Sequence, residues 1–322
     1  GNGALDVATL AVAPPEARMY RGLGNGLLAP PATLETPVAP IALAAGPFTH
    51  DAADDLVLLE RDAIALRRGG TAGPGPSERA SLLGPATGMA VADLDRDGWL
   101  DVAVVVQRPG SGFHLGVYRV NGVDEFIFNV DVATDFTGAG RACAGDVTGD
   151  GADDLVVLTS QAGAPVLLLA GRGDVTFAAP AVAATAAPVG AGTVPVCADL
   201  DGDGRADLLL LEADGSGSIA ILPSLGPTLG TPRLLDVHAV ALATADLDRD
   251  GDVDLVLAPA SGQRLLFLRN LGDGRFAAPV EWALGGTPAH VLVTDLDGDL
   301  WPDVVVSESE GTVAVLRNLG GV

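Results

Sequence analysis

The chain has 322 residues, of which 48% are apolar but only 4% aromatic, so its core must be built from alanine, valine and leucine. Its formal net charge of −24 argues against nucleic acid or an anionic membrane surface as the partner. A chain of this length could form two domains, but regular repetition along it favours one closed unit.

Aspartate-rich loops recur along the chain at a nearly constant interval. Residues 1–6 look like the second half of such a loop, and the next copy, Pro47–Asp55, lacks the first aspartate and the glycine. We predict that this second copy is a turn that binds no metal. Five fuller copies follow: Asp93–Asp101, Asp146–Asp154, Asp199–Asp207, Asp246–Asp254 and Asp295–Asp303. The closing aspartates, at positions 6, 55, 101, 154, 207, 254 and 303, give a period near 50 residues.

The composition of these loops predicts cation binding. In Asp199–Asp207, which reads DLDGDGRAD, aspartates alternate with other residues before a glycine. Two such carboxylates about 4 Å apart repel by roughly 4 kcal/mol at an effective dielectric of about 20, so a shared site needs a hard cation. An all-oxygen ligand set suits calcium best.

An EF-hand is the main alternative for this loop pattern, and the sequence excludes it. An EF-hand needs a glutamate at loop position 12 and helices on both sides. Position 12 is apolar and lies in a predicted strand in all five copies: Val104, Val157, Leu210, Leu257 and Val306.

The segments around each loop predict β-strands. An apolar stretch precedes the loop, and a short, nearly continuous apolar run follows it, as in Asp101–Val106 and Asp207–Leu211. Two further strands complete each period, as in Leu265–Asn270 and Arg275–Trp282. Four antiparallel strands per period, without a helical segment, predict an all-β fold in which each repeat is one blade of a β-propeller.

We therefore predict a single domain over residues 1–322. Its repeats lie near 1–39, 40–86, 87–138, 139–190, 191–238, 239–286 and 287–322. The first and last repeats are one strand short, which predicts 26 strands rather than 28. We expect flanking segments of a longer chain to complete these two blades.

The loop pattern DxDxDGxxD, repeated about every 50 residues, resembles the FG-GAP/VCBS repeats. These repeats build the seven-bladed head of integrin α chains and many bacterial surface propellers. The runs Gly173–Pro180 and Gly272–Pro279 are similar to the second turn of that family. The resemblance implies a seven-bladed propeller of four-stranded antiparallel blades, with calcium loops between the first and second strands. It also implies that side chains at loop positions 1, 3, 5 and 9 and the carbonyl at position 7 hold each ion.

Carried onto this chain, the resemblance implies up to five calcium sites. Their ligands would be Asp93, Asp95, Asp97, Asp101 and the Trp99 carbonyl; Asp146, Thr148, Asp150, Asp154 and the Ala152 carbonyl; Asp199, Asp201, Asp203, Asp207 and the Arg205 carbonyl; Asp246, Asp248, Asp250, Asp254 and the Asp252 carbonyl; and Asp295, Asp297, Asp299, Asp303 and the Trp301 carbonyl. The hydroxyl of Thr148 lowers the charge of the second set. Leu300 replaces the turn glycine in the last, so we expect that site to be weaker.

Two other features bear on the fold. Cys143 and Cys197 precede their loops by three and two residues, which places them on opposite faces of different strands. We therefore expect two buried free thiols and no disulfide. Residues 175–198 carry no charge, but prolines and glycines interrupt them, so we predict strands there and no membrane insertion.

The sequence shows no catalytic signature. It has four histidines, none in an HExxH motif, and no GxSxG elbow, so we predict a non-enzymatic protein. His290 falls on an inner strand and is interpreted as structural. Turn geometry accounts for the tripeptide Arg172–Asp174, and Trp99 and Trp301 are interpreted as caps on blade edges rather than sugar platforms.

The leading hypothesis is a calcium-stabilised binding or adhesion module for an unknown protein or glycan, secreted or on the cell surface. Calcium loops of moderate affinity fill at extracellular concentrations. The alternatives are an enzyme or enzyme accessory domain acting on polysaccharide or lipid, and a structural spacer in a large surface protein. The predicted ligand surface lies opposite the metal loops, in segments Gln107–His114, Ser160–Pro165, Asp214–Ser218, Ser261–Arg264 and Ser307–Gly311.

Overall fold

The computed structural model describes most of the chain, and all of its regular elements within the described ranges are β-strands. The described residues are 4–12, 15–34, 36, 38–51, 53–70, 75, 77–108, 112–120, 126–134, 140–159, 165–185, 192–212 and 217–320. Among them, no helix is long and apolar enough to cross a membrane.

The described strands number 26, as predicted. Blade 1 contains β1 (Val7–Val12), β2 (Pro15–Tyr20) and β3 (Ala32–Leu34); blade 2 contains β4 (Ala42–Gly46), β5 (Asp55–Leu59), β6 (Ala63–Arg67) and β7 (Ser77–Ser81); blade 3 contains β8 (Ala86–Ala92), β9 (Asp101–Arg108), β10 (Gly112–Val120) and β11 (Phe126–Thr134). Blade 4 contains β12 (Ala142–Gly145), β13 (Asp154–Val157), β14 (Val166–Leu169) and β15 (Ala181–Ala184); blade 5 contains β16 (Val194–Ala198), β17 (Asp207–Leu211), β18 (Ser218–Leu222) and β19 (Arg233–His238). Blade 6 contains β20 (Ala241–Ala245), β21 (Asp254–Ala258), β22 (Arg264–Leu268) and β23 (Val280–Ala283); blade 7 contains β24 (Pro288–Thr294), β25 (Asp303–Glu308) and β26 (Val313–Leu316).

These strands form seven antiparallel sheets, five of four strands and two of three, each with its strands in chain order. The chain is a seven-bladed β-propeller, so the predicted all-β architecture of antiparallel blades is confirmed, whereas calcium binding by its loops stays a prediction. The expectation that flanking segments complete blades 1 and 7 stays a prediction.

The core of the propeller lies between the blades. Second strands such as β5, β17 and β21 are buried along their whole length, because both of their faces pack against a neighbouring blade. Seven clusters of buried side chains lie in the described part, one at each interface between successive blades. Burial of one such leucine or valine stabilises the fold by roughly 1.5–3 kcal/mol, so stability is spread around the ring.

The prediction of two free thiols was wrong: Cys143 and Cys197 form a disulfide, with their Cα atoms 5.8 Å apart. Cys143 lies on inner strand β12 and Cys197 on inner strand β16 of the next blade, and these strands are neighbours. Where two blades meet, opposite faces of successive sheets point at each other. The one-residue offset between the cysteines therefore brings their side chains together, whereas the prediction treated it as separating them.

The interface between blades 7 and 1 differs from the others. Among the described residues, blade 1 has no inner strand, because its sheet begins with β1, the equivalent of a second strand. On inner strand β24, Val291 and Val293 pack toward blade 6, whereas His290 is exposed and Leu292 is 51% exposed. The interface is held by a small cluster that includes Val7, Tyr20 and Leu296.

Candidate metal centre

All five aspartate-rich loops join the first strand of a blade to the second, where the resemblance placed them. The loop Asp199–Asp207, for example, lies between β16 and β17. In four of the loops, three carboxylates offer oxygen atoms that lie within 4.8 Å of one another. These groups are Asp93, Asp95 and Asp101; Asp199, Asp201 and Asp203; Asp246, Asp248 and Asp250; and Asp295, Asp297 and Asp299.

The loop Asp146–Asp154 brings no such group together within the described residues. Its third position is Thr148, so one carboxylate is missing, as the sequence indicated. Asp146, Asp150 and Asp154 still hold the loop through main-chain hydrogen bonds. The turn is therefore kept, but the converging set of charges is not.

The first aspartate of each loop organises the chain around itself. In the loop of blade 5, Asp199 accepts hydrogen bonds from the main-chain N–H groups of Gly202 at 2.8 Å and Gly204 at 2.9 Å. Asp203 accepts one from Arg205 at 2.9 Å. The same pattern recurs in the loops of blades 3, 4, 6 and 7. These bonds curl the chain so that the alternating carboxylates converge.

The closing aspartate has a structural role that sequence reasoning missed. In blade 5, the Oδ2 atom of Asp207 accepts the N–H of Leu200 at 3.1 Å, and its Oδ1 atom accepts the N–H of Ser224 at 2.7 Å. Asp207 thus ties its loop to the third strand of the same blade. Even Asp6 accepts the N–H of Gly22 at 2.8 Å, which agrees with residues 1–6 being the end of a loop.

Burial and crowding raise the pKa of the closing aspartates. The pKa of Asp101 rises to about 7, because burial disfavours its charged form and the nearby Asp95 carboxylate repels it. Burial raises the pKa of Asp207 to about 6. It also raises the pKa values of Asp154, Asp254 and Asp303. A divalent cation would reverse this preference by stabilising the ionised forms.

Arginines on the third strands pair with three of the loops, and the sequence analysis did not anticipate them. Arg119 lies 3.1 Å from Asp95, Arg269 lies 3.8 Å from Asp248, and Arg317 pairs with Asp297. In each pair the aspartate at loop position 3 uses its Oδ2 atom. The repeated tripeptide Leu-Arg-Asn at 268–270 and 316–318 was the available signal.

The donor set fits a hard cation. The Asp297 side chain is only 6% exposed, and its Oδ1 atom is buried without a hydrogen-bond partner. A buried carboxylate oxygen without a partner is costly unless a cation or water meets it. This oxygen belongs to a group of three converging carboxylates, as an all-oxygen calcium site requires. The carbonyl ligands at position 7, such as those of Trp99 and Trp301, stay predictions.

The degenerate loop Pro47–Asp55 keeps the anchor but not the carboxylate group. Asp55 accepts the N–H groups of Thr49 at 2.7 Å and Gly69 at 2.9 Å, as the closing aspartates of the fuller loops do. Within the described residues, no set of three acidic groups converges there. Ala52 lies outside the described residues. The turn is thus kept, and the prediction that it binds no metal stays a prediction.

Leu300 adopts the left-handed backbone conformation that glycine occupies at the same position of the other loops. Its φ is 72°, compared with 90° for Gly98 and 97° for Gly251. A leucine in this region is strained by contact between its Cβ and the following carbonyl. The substitution therefore leaves the turn in place at an energetic cost.

The two loop tryptophans are covered by side chains from the preceding blade. The ring of His50 contacts that of Trp99 at a tilt of 43°, with ring centroids 4.9 Å apart, and the guanidinium of Arg249 lies 5.2 Å from the ring centroid of Trp301. Both tryptophans are half-buried. These contacts agree with the interpretation that they cap blade edges.

The tripeptide Arg172–Asp174 is folded back on its own turn. Arg172 donates to the carbonyl of Phe177 at 2.8 Å, and Asp174 accepts the N–H of Thr176 at 3.0 Å. Its two charged side chains are thus engaged locally, in keeping with a role in the turn.

The predicted ligand surface is only partly described. Ser261–Arg264 and Ser307–Gly311 connect second to third strands, at the end of the blades opposite the aspartate-rich loops. The segments Gln107–His114, Ser160–Pro165 and Asp214–Ser218 lie partly outside the described residues.

Comparison with solved structures gives propellers of similar size. A Burkholderia pseudomallei lectin has a TM-score of 0.70 at 18% identity, with 99% of this chain and 97% of that chain covered. An Agrocybe aegerita lectin that recognises non-reducing terminal N-acetylglucosamine has a TM-score of 0.66 at 19% identity, with 98% and 90% covered. BBS1N in complex with ARL6DN has a TM-score of 0.66 at 12% identity, with 100% and 90% covered. At these identities the likeness shows the fold alone.

Sequence comparison adds the family. No curated protein matches the chain. A family model described as an FG-GAP-like repeat matches residues 146–210 and 246–306, which span the loops of blades 4, 5, 6 and 7. The chain is therefore a seven-bladed β-propeller, and its blades 4 to 7 contain segments that match FG-GAP-like repeats.

Proposed function

We propose that the chain is a calcium-stabilised, non-enzymatic binding module that acts outside the cytosol and recognises a glycan or protein. The proposal of calcium binding is supported by the convergence of three carboxylates in each of four loops. The blade 7 loop also contains the buried Oδ1 atom of Asp297, which has no hydrogen-bond partner. The lectins of similar fold support a binding role and make a glycan the first ligand class to test.

The mechanism is preorganisation. When bound, calcium would supply positive charge that relieves repulsion among the loop carboxylates. The first aspartate of each loop holds the turn, and the closing aspartate ties that turn to the third strand. Rigid blades then present the connections at the opposite end, such as Ser261–Arg264 and Ser307–Gly311, in a fixed arrangement. A preformed surface loses less conformational entropy when it binds a ligand.

The disulfide supports a location outside the cytosol. Disulfides persist in oxidising compartments and are rare where thiols are kept reduced. The Cys143–Cys197 disulfide joins the inner strands β12 and β16 of adjacent blades. Calcium loops of extracellular modules bind in the range of about 10⁻⁴–10⁻³ M, a concentration found outside the cell but not in the cytosol.

Thermal unfolding in the presence of calcium and in the presence of a chelator tests whether calcium binds to the folded protein. We expect the midpoint to be several degrees higher with calcium, because a ligand that binds only the folded state stabilises it. Asp201→Asn should reduce this difference by removing one carboxylate of a converging group, whereas Asp174→Asn, in the turn of blade 4, should not. Equal midpoints in calcium and chelator would disprove the calcium proposal.

A glycan array and a pull-down against surface proteins, both in calcium, test the ligand class. We expect binding to a defined set of glycans that is lost in chelator. Turnover of any polysaccharide by the purified chain would contradict a purely binding function.

A further inference from the structure

Buried hydrogen bonds join the loops of blades 5, 6 and 7 to one another. We propose that these bonds make calcium binding at the three loops cooperative, with Asn270 and Asn318 as the positioning residues that transmit the effect. The inference rests on the proposed function, and it adds a dependence of each site on the state of its neighbours.

The link from blade 7 to blade 6 runs through Asn318. Its main-chain N–H donates to Oδ1 of Asp303 at 2.8 Å, and its side-chain Nδ2 donates to the carbonyl of Leu247 at 2.8 Å. The N–H of Leu247 in turn donates to Oδ2 of Asp254 at 3.0 Å. The side chain of Asn318 and the backbone of Leu247 therefore connect the closing aspartates of two adjacent loops, and both aspartates are buried.

The link from blade 6 to blade 5 repeats this geometry through Asn270. Its N–H donates to Oδ1 of Asp254 at 2.7 Å, and its Nδ2 donates to the carbonyl of Leu200 at 2.8 Å. The N–H of Leu200 donates to Oδ2 of Asp207 at 3.1 Å. The Oδ1 atom of Asn270 accepts the N–H of Gly272 at 3.1 Å, which agrees with this orientation of the amide. Asp254 is thus bonded toward both neighbours, one oxygen on each side.

These bonds couple the sites because the same groups serve both purposes. Each closing aspartate is an expected calcium ligand and also the acceptor for the link to the adjacent blade. An ion that restrains the Asp254 side chain also restrains the main-chain N–H groups of Leu247 and Asn270, which donate to it. Because the side chain of Asn270 donates to the carbonyl of Leu200, the second residue of the blade 5 loop is restrained as well. A second ion then binds a loop that has already lost part of its freedom, which is positive cooperativity. Buried hydrogen-bond networks transmit such effects well, since each bond polarises the next.

The other side of the ring provides an internal contrast. In blade 4 the residue equivalent to Asn270 is Gly171, whose N–H donates to Asp154 at 2.8 Å but which has no side chain to reach blade 3. The carbonyl of Leu94 in the blade 3 loop is instead bonded by the main-chain N–H of Val175 at 3.2 Å. Among the described residues, the blade 3 loop therefore has no such side-chain link to a neighbouring closing aspartate, and its calcium should bind independently.

Native mass spectrometry of the whole chain during a calcium titration tests the inference, because it counts the ions on each molecule. We expect that calcium in one loop raises the calcium affinity of the adjacent loop about fivefold or more. Protein molecules that carry one or two ions should then be less abundant than independent sites would produce. Asn270→Ala and Asn318→Ala should each restore a near-statistical distribution. Asn270→Ser should keep much of the depletion, since Ser224, the equivalent residue of blade 5, donates from its hydroxyl to the carbonyl of Val147 at 2.6 Å.

The loop of blade 3 is the control. Asp93→Asn should remove one ion and leave the cooperativity of the rest unchanged, whereas Asp248→Asn in the middle loop should also weaken the sites on both sides. A statistical ion distribution in the unaltered chain would overturn the coupling while leaving calcium binding intact, and this result does not depend on whether any variant folds. Absence of bound calcium would overturn the proposed function and the coupling together.

Discussion

Single residues in the aspartate-rich loops concentrate backbone strain and negative charge. Leu300 is the clearest case of strain, since it stands in a left-handed turn with φ of 72° and is 69% exposed. Little packing would be lost if it were replaced. The loop of blade 7 thus combines the strongest sign of a cation site, the buried Oδ1 atom of Asp297, with an unfavourable backbone.

Leu300→Gly should stabilise the protein. The left-handed region costs a non-glycine residue roughly 1–2 kcal/mol, and the extra freedom of glycine in the unfolded chain offsets about half of that gain. We expect the thermal midpoint to rise slightly. Gly251→Leu makes the reverse change in blade 6, where φ is 97°, and should lower it. A lower midpoint for Leu300→Gly would show that the leucine makes a favourable contact.

The closing aspartates predict an unusual pH dependence for the metal-free protein. The folded-state pKa is about 7 for Asp101 and about 6 for Asp207, both above the ordinary value of 3.8. The folded state therefore binds more protons than the unfolded state between about pH 4 and 7, so stability falls as pH rises through this window.

Chemical denaturation of chelator-stripped protein at pH 5 and pH 8 measures this effect. We expect a lower free energy of unfolding at pH 8 and a smaller difference in Asp101→Asn. Calcium should remove the loss at pH 8, because it binds the ionised carboxylates. A metal-free protein that gains stability from pH 5 to pH 8 would contradict the assignment.

At the scale of strands and loops, the period of the sequence predicted most of the structure. The strand after each loop is apolar on both faces because it is the second strand of a blade, packed on both sides, so Asp207–Leu211 could be assigned from its pattern alone. The convergence of three carboxylates in each of four loops follows from the same repeated spacing of aspartates, whereas the full ligand sets stay predictions.

What the sequence could not predict depends on contacts between repeats. The disulfide was missed because the faces of two strands were compared as if they belonged to one sheet. The donation of Asn318 to the loop of blade 6 needs the three-dimensional placement of a residue whose equivalents vary from repeat to repeat. No pattern within a single period contains this information.

Removal of the disulfide should destabilise the protein without changing the fold. A native disulfide typically contributes about 2–5 kcal/mol, and this one joins residues separated by 54 positions. We expect reductant to lower the denaturation midpoint of the unaltered chain. The double variant Cys143→Ala with Cys197→Ala should start near that lower value and be insensitive to reductant. A midpoint that reductant does not move would show that the bond adds nothing to stability.

At the scale of the whole molecule, stability is distributed around a ring of like units. The seven clusters between blades are similar in kind, but their reinforcement is uneven. The disulfide joins blade 4 to blade 5. Hydrogen bonds from Ser224, Asn270 and Asn318 join blade 5 to blade 4, blade 6 to blade 5 and blade 7 to blade 6, respectively. The interface between blades 7 and 1 has a small apolar cluster and no such link among the described residues.

This unevenness determines how the ring would respond to mechanical force. Blades 1 and 7 are neighbours, so tension applied to the chain through these two blades pulls directly on the interface between them. Blades would peel away from that interface, while the segment between Cys143 and Cys197 stays shielded behind a covalent bond. A fully extended chain spans about 3.5 Å per residue, so the 54-residue separation withholds roughly 190 Å of extension until the bond is reduced. A propeller under tension would thus keep its fourth blade inside this covalent loop after the other blades had opened.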